Sequence, residues 1–102
     1  MLSAGKSKRR PSMRERMTPD RAETIGLNGL AFLAGRSGHL ERFLAASGMD
    51  TPSLRERTQD PDVLRAVLDF VLTDDVLVAD FCREQNLDAR DVHMAHRVLG
   101  GL

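Results

Sequence analysis

Apolar residues recur along this chain at intervals of three and four, with no alternating run and no hairpin turn, so the pattern predicts helices and no strand. The first helix opens at "MTPDRAET". Thr18 suits the N-cap, Pro19 the first helical position, and Asp20 and Glu23 the positive helix end. From Ile25 this stretch is apolar on nearly every side, which predicts a buried helix over 18–34 with Gly35 as its stop. Gly26 and Gly29, with Ala22, form a small-residue face that would let another backbone come close.

"SGHLERFLAASG" predicts a second helix. Leu40, Phe43, Leu44 and Ser47 share a face, Gly48 is the stop, and Met49 supplies the apolar contact of a Schellman cap. "DTPSLRER" restarts at once, with Asp50 or Thr51 as cap, Pro52 opening the turn and Leu54 as its inward anchor. "DPDVLRAVLDFVL" repeats the device with Asp60 and Pro61. Its narrow polar stripe is Arg65 and Asp69, which predicts a second central helix over 60–73. "DDVLVADFCREQN" runs from an Asp74 cap to Asn86, a residue that tolerates the left-handed conformation. "DARDVHMAHRVLGG" begins at an Asp88 cap, has Asp91 three residues on, and stops at Gly100. The expectation is an all-α compact bundle of five helices plus one short one, with 18–34 and 60–73 at its centre.

Setting residues 30–58 over 68–96, an offset of 38, places Phe32 on Phe70, Phe43 on Phe81 and Asp50 on Asp88. Gly48 falls on Asn86, Met49 on Leu87 and Leu54 on Val92. The two joints then have one grammar of stop, apolar plug, Asp cap and inward aliphatic. The alignment suggests a duplicated helix-turn-helix unit, although any helical corner needs a stop and a cap. Two such units make a compact bundle rather than a solenoid.

Length bounds the rest: 102 residues form one domain. Zero net charge conceals a split. Residues 1–17 carry six cations (Lys6, Lys8, Arg9, Arg10, Arg14 and Arg16) against Glu15, a net of +5. Residues 18–102 carry nine Arg and fourteen acids, a net of −5. With few apolar residues to bury, 1–17 reads as a disordered basic tail ahead of a single helical domain over 18–102. Met13 and Met17 offer alternative starts. The single Cys82 excludes an internal disulfide and fits a reducing compartment. No apolar run reaches the ~18 residues of a membrane span, and the basic N-terminus lacks the apolar stretch of a signal peptide. The expected location is the cytoplasm, without membrane association.

The segment 74–99 also resembles a DNA-binding helix-turn-helix, with Cys82 at the helix crossing and Val92 as plug. Its second helix would present Asp88, Arg90, Asp91, His93 and Arg97. Two acids at the reading end, on a net-negative body, weigh against DNA. The nucleic-acid contacts this alternative would use are the six tail cations, Arg90 and Arg97. His93 and His96, one turn apart, would need Cys82 to approach a metal set, which is short of a ligand signature. Asp74 is needed as a cap, and its neighbour Asp75 cannot share its face. No phosphate loop, catalytic triad pattern or Gly-flanked nucleophile is present. With Tyr and Trp absent and the four Phe at core positions, base-stacking platforms are lacking too. No catalytic residue, metal or cofactor is expected, and the favoured function is a protein-interaction or self-association module.

"GLNGLAFLAG", "LERFLAASGMD", "DPDVLRAVLDFVL" and "LVADFCREQNLDARDV" together resemble an uncharacterised family of small bacterial proteins, a domain of unknown function best represented in alphaproteobacteria. The resemblance spans about residues 20–99. Its motifs are Leu, Phe, Gly and Asp at helix joints, so it implies an all-helical fold and carries over no functional residue.

Overall fold

The computed structural model describes residues 17–36 and 38–101. Six helices follow one another: α1 Pro19–Ala34, α2 His39–Ser47, α3 Thr51–Glu56, α4 Pro61–Leu72, α5 Asp75–Gln85 and α6 Ala89–Gly100. There is no strand among the described residues. The tail cations and the rest of residues 1–16 lie outside them. Met17, which the charge pattern groups with the tail, is buried against the core, with its sulfur 3.9 Å from Arg21 Nη1.

Capping chemistry places nearly every helix start. The side chains of Thr18, Asp50, Asp60, Asp74 and Asp88 each accept a backbone N–H in the first turn that follows. In α6 the Asp91 carboxylate also accepts the Asp88 N–H, closing a reciprocal capping box. The exception is α2, whose N-cap is Gly38 in the left-handed region at φ 83°, with no side-chain cap. Gly35, expected as a left-handed stop, has φ −81°. The chain leaves α1 in near-helical geometry and makes its left-handed turn at Gly38 instead.

The two joints at offset 38 share their geometry. Gly48 has φ 77° and Asn86 φ 56°. Gly48 and Met49 both donate backbone N–H groups to the Leu44 carbonyl. Asn86 and Leu87 do the same to the Cys82 carbonyl. The inward aliphatics Leu54 and Val92 are both buried. Correspondence ends with the helices that follow, because α3 has six residues and α6 has twelve.

That difference in length determines the core. α1, α4 and α6 pack mutually and most extensively, so the centre holds three helices where the hydrophobic pattern predicted two. α6 inserts Val92, Ala95 and Leu99, all buried, against α1 and α4. The small-residue face of α1 meets α4 as expected: a Cβ built on Gly26 would lie 2.8 Å from Leu64 Cβ. On Gly29 it would lie 3.2 Å from Leu68 Cδ2 and Val67 Cγ1. α1 is not buried all round, since Leu27, Ala31 and Ala34 are exposed. Its far end is pinned to α5 by Arg36, which stacks 4.5 Å above the Phe32 ring and pairs with Asp80 at 3.6 Å and with Glu84. Phe43 and Phe81 are fully buried, whereas Phe70 is half-buried beside Phe43, with ring centroids 5.8 Å apart.

Candidate functional site

The outer face of α4 is a ridge between two grooves of opposite character. Arg65, Ala66, Asp69, Phe70 and Thr73 occupy this face because Val63, Leu64, Val67, Leu68 and Val71 turn inward on the same helix. A helix with a wide apolar stripe leaves only such a narrow outer strip.

On one side, α2 and α4 enclose a trough of about 330 Å³, lined chiefly by Phe43, Ala46, Ala66 and Phe70, with Ser47, Asp69 and Thr73 at its polar edge. The two alanines are short enough to leave Phe70 half-uncovered beside the buried Phe43 ring. Ring edges with one uncovered side forfeit contacts that a partner's apolar side chain would restore. A second, smaller apolar recess of about 210 Å³ lies where α1, α2 and α3 meet, around Leu30, Leu40 and Leu54.

On the other side of the ridge, α4 and α6 flank a polar groove of about 330 Å³ lined by Arg65, His93, His96, Arg97 and Gly100. Gly100 matters here, because a Cβ on it would lie 2.9 Å from Arg65 Nε. Without that carbon the guanidinium lies against the end of α6. His96 Nε2 is 3.3 Å from Asp69 Oδ1, close enough for an ion pair when the imidazole is protonated. The contact lacks hydrogen-bond geometry, so this buried nitrogen has no hydrogen-bond partner.

The residues singled out in the sequence are distributed unevenly. Arg97 and His93 line the polar groove, while Arg90 is exposed on the same helix nearer its start. Asp88 and Asp91 are committed to the capping box, and Asp91 also lies 3.7 Å from Arg21 Nη1. Cys82 is half-buried between α5 and the start of α6. Burial pushes its thiol pKa upward, helped by the negative charges of Asp88 and Asp91. No group of three metal-ligating side chains occurs among the described residues. Arg65 and Phe70 are the site residues that sequence reading missed, since the pattern puts Arg65 in a narrow polar stripe and Phe70 among the core Phe residues.

No helix among the described residues is long and apolar enough to cross a membrane. The sequence matches the family described as "Protein of unknown function (DUF3572)" over residues 19–102, and the chain belongs to that family. No curated protein and no solved structure matches it.

Proposed function

We propose that this all-helical domain is a non-catalytic module that binds another protein through the outer face of α4. The observation that carries this reading is the trough between α2 and α4, where Phe70 stays half-uncovered between two alanines, against the buried Phe43 ring. The other large apolar residues of α4 that face the core, Val63, Leu64, Val67, Leu68 and Val71, are all buried. An apolar side chain seated there would bury ring surface at roughly 25 cal/mol per Å².

The nucleic-acid alternative draws on Arg90, His93 and Arg97 of α6. Against it, α6 is packed on α1, α4 and α5 and begins with Asp88 and Asp91, so the end that would approach base edges is acidic. The test compares tagged wild-type protein with Ala66→Glu, each shown by circular dichroism to be folded. A partner, or a second copy, retained by wild type and lost by the variant supports the reading. Identical retention by both contradicts it, as does binding that responds only to nuclease treatment.

A further inference from the structure

We propose that the segment bound on the α4 ridge is acidic as well as apolar, its carboxylates seated on Arg65 and Arg97 while its apolar side chains fill the Phe43–Phe70 trough. This inference rests on the interaction reading and names the chemistry of the partner.

Among the described residues Arg21, Arg36, Arg57 and Arg83 each have a carboxylate within 4 Å. Arg42, Arg55, Arg65, Arg90 and Arg97 have none among the described residues, and of these Arg65 and Arg97 line one groove, together with two imidazoles. Two guanidinium groups lining one groove repel each other, and an anion entering between them removes that cost. A guanidinium fork also suits a carboxylate, which it can hold through two parallel hydrogen bonds. The carbonyl end of α6 opposes an anion, and Arg65, lying against Gly100, is placed to offset it.

Position supplies the second half. Arg65 and Ala66 are consecutive on α4, one lining the polar groove and the other the apolar trough. Asp69 lies at the divide, in the trough lining and 3.3 Å from His96. One amphipathic helix crossing the ridge could therefore reach both grooves, with apolar residues on one side of its contact stripe and Asp or Glu on the other. A purely apolar partner would leave the two arginines beside it unanswered, and a basic one would be repelled.

The experiment is selection of phage-displayed helical 16-mers with fixed Leu positions and randomised flanks. The enriched peptides are then synthesised with a fluorescent label and measured by anisotropy. Enriched flanks should be acidic, and affinity should fall steeply with salt. Arg65→Glu/Arg97→Glu should weaken binding at least tenfold, as should Ala66→Glu. Asp69→Asn should tighten it about two- to fivefold, the size of one exposed charge contact. Neutral or basic flanks overturn the inference, and if such peptides still lose binding in Ala66→Glu, the interaction reading survives alone. Acidic peptides that ignore Ala66→Glu overturn the shared ridge. Failure to enrich any peptide overturns both readings. A duplex DNA that binds as tightly as the best peptide and is lost in the double arginine variant overturns them in favour of nucleic acid.

Discussion

Replacing Gly26 by alanine sets two well-understood effects against each other. In an exposed helix the change stabilises, because glycine costs roughly 1 kcal/mol relative to alanine. At Gly26 the new methyl would stand 2.8 Å from Leu64 Cβ, well inside ordinary van der Waals contact. Leu64 Cβ is fixed to the α4 backbone, and Leu64 is fully buried, so no rotamer change can clear the overlap. α1 and α4 must move apart, and overpacking of this kind costs about 1–3 kcal/mol. The difference is a net destabilisation of about 0–2 kcal/mol, and because the overlap is with a backbone-fixed atom the upper half of that range is expected. Thermal denaturation should register it at about 4–8 °C per kcal/mol for a domain of this size. Gly29 is the internal control. Its methyl would meet Leu68 Cδ2 and Val67 Cγ1 at 3.2 Å, and these are side-chain ends that can shift by a few tenths of an ångström. Gly29→Ala should therefore fall within about 1 kcal/mol of wild type, the size of the propensity gain it sets against a mild clash. A Gly26→Ala protein as stable as wild type or more so, or one less affected than Gly29→Ala, would refute the close α1–α4 approach.

Other expectations follow from the same geometry. Phe43→Ala and Phe81→Ala should each cost about 3–5 kcal/mol in urea denaturation, because both rings are fully buried at equivalent joints; a loss below about 0.5 kcal/mol in either would break the equivalence. The Ser53 N–H lowers the pKa of Asp50, and the Arg57 guanidinium, then the Asp62 N–H, lower that of Asp60. Because these folded-state values lie below the unfolded one, their stabilisation is complete above about pH 4 and is lost as pH falls further. Melting temperatures measured from pH 7 to 2.5 should drop on that limb, and Asp50→Asn/Asp60→Asn should flatten it. An unchanged limb would remove these caps from the account. The Cys82 thiol should react with a disulfide reagent at pH 8 more slowly than free cysteine, and Asp88→Asn should speed it; a faster wild-type reaction would contradict the assigned environment.

The helix joints were legible because their chemistry is local. Asp or Thr before a proline or an apolar run, and Gly or Asn after one, specify caps and stops within four residues. The small face at Gly26 and Gly29 was legible too, since side-chain size on one helix limits how close any neighbour can come. The third central helix was not. α6 reaches the core with Val92, Ala95 and Leu99, a narrow stripe set among Arg90, His93 and Arg97, and alanine gives no strong signal. Phe70 was misjudged for a related reason: periodicity places it beside apolar residues, but only the packing of α2, with its short Ala46, determines that the ring stays half-uncovered. The polar groove had no sequence signature at all. Arg65 is separated from His93 and Arg97 by a whole helix and two turns, and only the packing of α4 on α6 brings them together. Gly100 read simply as a stop, whereas in the folded chain it makes room for Arg65.

The central claim is that the outer face of α4 contacts a protein partner. Site-specific photo-crosslinking in the producing cells tests it directly, with the crosslinker at Ala66 and, as control, at exposed Gln59. The account predicts a discrete protein adduct from position 66 that is absent from position 59 and disappears when Arg65 and Arg97 are both changed to Glu. Adducts to nucleic acid, or the same pattern from both positions, would contradict it.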